Sequence, residues 1–275
     1  MKRLSLILLL LLCACGNEKP PAWLGYGEGD NSFIGAPQPG WLAHLGVRRG
    51  QIVKRGQFLF SLDDVHETAA RDQAAANLAQ AKASLAQEQA NLVYTQTELK
   101  RQAGVAKVNA GVPSTFDQTL ASFRESQAHI TQLEGQIVQM QAALADAEYQ
   151  LSQRRIVAQV DGQVQDIYFF QGEYVPATTP VVSVLPPANI FVRFFVPETE
   201  FAHVKLGQTV AITCDGCAPN MTAKITFIAQ QEEFTPPVIF SVGNKEKLVF
   251  KLEARAPGGL KLNPGEPVEV RPLGS

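Results

Sequence analysis

The sequence predicts a mixed α and β chain of elongated, multidomain build. It combines a β-sandwich split in two, an antiparallel coiled-coil α-hairpin set between the halves, and a small antiparallel β-barrel. Three observations carry this. Apolar residues recur every seven positions along two segments of similar length. The stretches on either side of those segments repeat one another. The last third is β-rich and punctuated by Pro and Gly.

The chain has 275 residues, a net charge of −2 and 18% charged residues. That length suits one large domain or two to three small ones. The charge offers no basic surface for nucleic acid. Residues 1–14 read as a leader: Lys2 and Arg3, an apolar run from Leu4 to Leu12, then Cys13, Ala14 and Cys15. A basic start, a short apolar core and small residues at the cut mark a secretory signal, too short to span a bilayer comfortably. Leu12-Cys-Ala-Cys15 resembles the bacterial lipoprotein box, which would make Cys15 the lipidated first residue of the mature chain. The alternative is a plain signal peptide with incidental cysteines. Acyl chains anchor because each buried CH₂ adds about 0.8 kcal/mol. Residues 15–32 then read as the lipidated Cys and a tether, with Gly16 to Ala22 too polar and Pro-rich to build a core.

Residues 63–155 read as the hairpin. From Leu62 to Ala103 there is neither Gly nor Pro. Asp64 is placed to cap a helix, with Glu67 three residues on in the capping-box position. Leu78, Leu85, Leu92 and Leu99 recur every seven residues, with Ala74, Ala81, Glu88 and Thr95 on the companion row. Gly104, Gly111 and Pro113 break the pattern. A second helix is expected from Ser114, with Asp117 completing its cap. Phe116, Phe123, Ile130, Ile137, Leu144 and Leu151 form its seam, with Leu133, Met140 and Ala147 beside them. Two such arms of about forty residues should fold back on each other as a coiled coil roughly 60 Å long. The alternative is two helices of a compact bundle, but no third long helix is in sight.

The flanks, 33–62 and 156–186, are related by a constant offset of 122 residues. Ala36, Gly40, Gly50, Val53 and Ser61 correspond to Ala158, Gly162, Gly172, Val175 and Ser183. Each copy reads as two or three short strands, with glycines at turns that need positive φ. Neither copy can bury its apolar face alone, so the two are expected to close one core.

Residues 187–275 read as the barrel, with strands at 191–197, 210–213, 224–228, 248–252 and 268–270 and a hairpin-turn signal at Asp215-Gly216. Cys214 and Cys217 flank that turn. In an oxidising compartment the pair favours a local disulfide over two free thiols. A zinc site would need two more ligands, and His44, His66, His129 and His203 are scattered over different modules. Asp63 and Asp64 are more easily helix caps than a catalytic pair. No nucleophile constellation, phosphate loop or cofactor motif is visible.

In its order of parts the chain resembles the HlyD-type periplasmic adaptors, or membrane fusion proteins, in which a coiled-coil hairpin divides a lipoyl-like motif. The resemblance rests on Ala36-Pro-Gln-Pro-Gly-Trp-Leu42 with 47–63, on Arg155 to Val164 with Gln171 to Pro176, and on three barrel stretches: Val196-Pro-Glu198 with Leu206 to Val210, Glu233-Phe-Thr-Pro-Pro237, and Leu262 to Val270. The family usually has Met where Glu266 stands, and Ala-Pro before the Asp-Gly where this chain has Gln159-Val160. A lipoyl carrier would need an acceptor Lys at the turn that the helical arms occupy here, so no modification of Lys54 is expected.

The resemblance implies a scaffold rather than an enzyme, held by its lipid at the inner membrane in the periplasm of a Gram-negative bacterium. It implies an inner-membrane transporter and a TolC-like outer-membrane channel as partners, and self-association into a ring, commonly of six. Many relatives dock the channel through Arg-x₃-Leu-x₆-Ser at the tip. Leu99 fits the Leu, but Thr95 and Ala106 replace the other two, so Leu99, Val105, Val108 and Val112 are the expected tip contacts. Resemblance to adaptors of ATP-binding-cassette exporters around Glu233 to Pro237 points to an ABC permease with its ATPase. The competing reading is a carrier-like or redox envelope protein using Cys214 and Cys217.

Overall fold

The computed structural model describes residues 22–107, 113–234 and 248–273. Its centre is a sandwich of two four-stranded sheets. β2 (Ser32–Gly35), β3 (Gly40–Leu45), β4 (Ile52–Val53) and β5 (Phe58–Leu62) precede the helices. β6 (Arg155–Val157), β7 (Gly162–Ile167), β8 (Tyr174–Val175) and β9 (Pro180–Leu185) follow them. One sheet has the order β2-β9-β7-β4 and the other β6-β5-β3-β8. Each sheet therefore takes two strands from each half, which is why neither half closes a core alone.

The 122-residue offset reappears as a pseudo-twofold down to single hydrogen bonds. Gly50 N donates to Val164 O and Gly172 N to Leu42 O, both at 2.8 Å. Both glycines take positive φ, +82° and +89°. The ladders break at matching places too, between Leu42 and His44 and between Val164 and Asp166. Leu42, Val53, Val164 and Val175 meet in the core with their side chains sealed from solvent.

The helices are α1 (Val65–Lys107) and α2 (Pro113–Ser152). They pack on each other as an antiparallel pair. At 1.5 Å per residue the longer arm runs about 65 Å. The predicted seam positions on α1, from Ala74 to Leu99, are all at least half-buried, and Leu78, Ala81 and Leu133 are buried. Two starting details differ from the sequence reading. Proline with its fixed φ and missing N–H opens α2 at Pro113, one residue before Ser114. At the start of α1, Asp63 Oδ1 accepts from Val65 N at 3.2 Å, while Asp64 supplies only the backbone carbonyl that takes Thr68 N. Glu67 closes no capping box and turns to Arg154 instead.

The third body is a closed barrel of order β1-β10-β13-β12-β11-β14. Its strands are β1 (Trp23–Gly29), β10 (Ile190–Pro197), β11 (Thr209–Thr213), β12 (Met221–Phe234), β13 (Leu248–Arg255) and β14 (Pro267–Pro272). A one-turn helix, α3 (Glu198–Phe201), follows β10. Residues 15–32 are therefore not all tether. Trp23, Gly25 and Gly27 point inward as β1 pairs with β10 and β14, and without it the barrel has two open edges. Trp23 stacks on Phe194 at 5.7 Å between centroids. The barrel domain thus draws on both ends of the chain.

Candidate functional site

The candidate features are the long hairpin, its base, its tip and the barrel. The hairpin leaves the sandwich between β5 and β6. These strands are hydrogen-bonded neighbours, with Ser61 opposite Arg155, so the roots of both helices are held side by side. The barrel leaves from β2 and β9, where Ser32 lies opposite Val184. The offset maps β5 onto β9 and β2 onto β6, so hairpin and barrel grow from symmetry-related edges of one sandwich. A twofold carries the first site onto the second, and the two appendages are separated by the sandwich.

The hairpin base is fixed by side chains as well. Arg154 pairs with Glu67, donates to Pro39 O at 2.8 Å, and through its own carbonyl accepts from Leu62 N at 2.9 Å. Gln38 reaches Gln150 on the last turn of α2. Burial pushes the Glu67 carboxyl up, but the Arg154 hydrogen bond, a backbone N–H and the Arg154 and His66 charges outweigh it and hold it below its ordinary value.

Midway along the hairpin the apolar seam is interrupted. Ser126 is buried and accepts from Asn91 Nδ2 at 3.2 Å. Asn91 also donates to Glu88 at 3.0 Å, and His129 Nδ1 lies 3.3 Å from Glu88. The Asn91 hydrogen bond is the largest influence holding the Glu88 carboxyl below its ordinary value. These residues, with Thr95 and Ser122, line a groove of about 690 Å³. The sequence marked Glu88 and Thr95 only as weak seam positions; Ser126 falls on the same row of α2 and was the missing signal.

At the tip, Leu99 is half-buried in the seam and Val105 is 37% exposed. Val108 and Val112 lie outside the described residues, as does Cys15. Among the described residues, no helix is long and apolar enough to cross a membrane. Cys214 and Cys217 are joined as a disulfide with Cα atoms 5.3 Å apart, across the turn in which Gly216 takes φ +87°. Glu266 from the β14 side lies against them, a neighbour that sequence spacing does not reveal. The histidines are dispersed: His44 stacks on Phe58, while His129 sits in the hairpin.

Comparison with known proteins bears on this arrangement. Residues 77–154 match the family model for the alpha-helical hairpin domain of RND membrane fusion proteins. The chain is 29% identical over 116 residues, 42% of its length and 34% of the relative's, to the UPF0194 membrane protein in the asrC 5′ region of Acidithiobacillus ferridurans. It is 34% identical over 65 residues, 24% of its length and 17% of the relative's, to the multidrug export protein EmrA of Escherichia coli K12. The matches thus span well under half of each of these relatives. Among solved structures, MacA from Actinobacillus actinomycetemcomitans superposes with a TM-score of 0.69 at 20% identity, over 93% of this chain and 79% of that one, a likeness of fold.

Proposed function

We propose, from the premise that this chain belongs to the membrane fusion protein family, that it is the periplasmic adaptor of an export pump, bridging an inner-membrane transporter to an outer-membrane channel. The observation that carries this is the placement of hairpin and barrel on symmetry-related edges of one sandwich. A barrel bound at one membrane then sends a rod of about 65 Å away from it.

The lipid on Cys15 orients the molecule. Only seven residues separate Cys15 from β1, so the tether spans at most about 25 Å. Trp23 opens β1 at the barrel end away from the sandwich, beside Pro272 and α3. That end faces the inner membrane and the transporter, and the hairpin tip faces the channel. Leu99, Val105, Val108 and Val112 supply tip contacts, since apolar side chains on an exposed turn mark a contact surface. Copies assemble side by side as a ring, and the work done is sealing and coupling rather than bond chemistry.

We assign the transporter to the ABC class, a permease with its ATPase. The support is the likeness of Glu233 to Pro237 to adaptors of such exporters; the hairpin's match to a model named for RND adaptors weighs on the other side. Affinity purification from mildly cross-linked membranes tests both levels. Recovery of an ABC permease, its ATPase and an outer-membrane channel is the expected result. A proton-driven pump in place of the ATPase overturns the class and leaves the adaptor standing. Recovery of neither transporter nor channel overturns the adaptor.

A further inference from the structure

We propose that Cys214, Cys217 and Glu266 form a redox-gated binding site for a zinc-class divalent cation, open when the disulfide is reduced and closed when it is formed. Among the described residues this is the one group of three or more His, Cys, Asp or Glu side chains whose ligand atoms all lie within 4.8 Å of one another. It is independent of the adaptor reading.

The separations between the carboxylate and the two sulfurs already suit a metal site. Glu266 Oε1 lies 3.3 Å from Cys214 Sγ and 3.9 Å from Cys217 Sγ. A tetrahedral ion with Zn–S near 2.3 Å and Zn–O near 2.0 Å sets its S and O ligands about 3.5 Å apart. The two observed separations bracket that edge. The carboxylate is also oriented: Oε2 accepts from Asn263 N at 2.9 Å and lies 3.3 Å from Asn263 Nδ2, which leaves Oε1 aimed at the sulfurs. Metal ligands are typically held by an outer hydrogen bond of this kind. All three side chains are partly exposed, so an ion can enter, and the cysteines rest against the barrel core, so the turn is anchored.

The disulfide and the ion compete for the same electron pairs. With the S–S bond formed, neither sulfur is a thiolate. Reduction by a dithiol delivers two electrons and two protons, gives two thiols, and converts the dithiol to its own disulfide. Metal binding then releases the two thiol protons. The sulfurs need to part only to about 3.8 Å, the S···S edge of the same tetrahedron, which side-chain rotation supplies on a Cα separation of 5.3 Å. Once the thiol protons leave, two thiolates and a carboxylate carry three negative charges, which a divalent ion brings down to one. Three protein ligands leave a fourth position for water or another donor, as in open zinc sites.

The test uses the purified full chain. A dithiol reductant is applied under nitrogen and removed, thiols are counted, and Co²⁺ is titrated as a spectroscopic probe, followed by competition with Zn²⁺. The expected result is two thiols, one equivalent of cobalt with a thiolate-to-metal charge-transfer band, displacement by zinc, and no binding by the oxidised chain. Cys214→Ser with Cys217→Ser should abolish the band. Glu266→Gln should weaken binding at least about tenfold while leaving two titratable thiols. A disulfide that resists reduction in the folded chain, cobalt bound without the charge-transfer band, or a Glu266→Gln variant that binds as tightly as the parent would each overturn the site.

Discussion

Arg154 and Glu67, 87 residues apart, form an ion pair in which both side chains are largely buried, 14% and 11% exposed. Arg154 stands in the link from α2 to β6, and Glu67 on the first turn of α1. Their pair ties the two helical roots to each other, and the Arg154 bonds to Pro39 and Leu62 tie both to the sandwich. A rod of about 65 Å turns a small rotation at its root into a large displacement at its tip, and this pair, with the β5–β6 ladder, is among the contacts that hold the root.

Removing one partner of a buried pair leaves the other charge uncompensated. Arg154→Ala is expected to cost about 2–3 kcal/mol, with a lower denaturation midpoint and an unchanged dependence on denaturant. A cost under about 0.5 kcal/mol would place the pair among surface ion pairs.

The same pair predicts a pH dependence. Glu67 is held below its ordinary value of 4.5, so the unfolded chain binds the proton more readily. Its contribution is complete above about pH 4.5 and is lost as the pH falls through the lower folded-state value. Glu67→Gln should therefore flatten the stability profile below about pH 4.5 relative to the parent, as read from urea midpoints across pH. Parallel profiles would refute the assignment.

The repeat exposes a second position with a definite sign. Gly56 and Thr178 are related by the 122-residue offset, and both take positive φ, +83° and +61°. Their N–H groups donate to the matching carbonyls of Ala158 and Ala36, at 2.8 and 2.9 Å. A β-branched residue in this conformation costs about 1–2 kcal/mol, while glycine loses more backbone freedom on folding. Thr178→Gly is expected to stabilise by about 0.5–1 kcal/mol, and Gly56→Thr to destabilise by about 1–2 kcal/mol. Thermal melts of both variants check this, and equal signs would contradict it.

The hairpin should lose stability on its own. Leu133 is buried in the seam and far along the chain from either β core. Leu133→Ala is expected to cost about 2–3 kcal/mol. In hydrogen exchange the loss should fall on α1 and α2 and leave β10 and β13 protected. Uniform loss over the barrel would show one cooperative unit instead.

What was legible in the sequence was what repeats locally. The seven-residue recurrence from Leu78 to Leu99 needs only neighbours on one helix face, and the offset linking Gly50 to Gly172 is visible without knowing which strands pair. What escaped was set by distant partners. Trp23, Gly25 and Gly27 alternate with Leu24, Tyr26 and Glu28, a strand pattern, but Gly25, Gly27 and Gly29 hid it and the partner strand lies about 165 residues on. Glu67 was read as a cap because Asp64 is close, whereas its real partner is 87 residues away. The approach of Glu266 to Cys214 and Cys217 has the same origin: pairing of β11 with β14 brings them together.

The reassignment of residues 23–29 from tether to barrel strand makes the last prediction. In a tether, Gly25→Ala would be silent or slightly stabilising through the unfolded chain. In β1, a Cβ at position 25 would stand 2.6 Å from Phe194 Cβ, against the rigid β10 backbone. Phe194 is fully buried and stacked on Trp23, so it has nowhere to retreat. Overpacking of this kind costs about 1–3 kcal/mol. Gly25→Ala should therefore lower the melting temperature of the barrel, and Tyr26→Ala, on the outward face of the same strand, should do so less. A Gly25→Ala chain as stable as the parent would return residues 23–29 to the tether and reopen the barrel between β10 and β14.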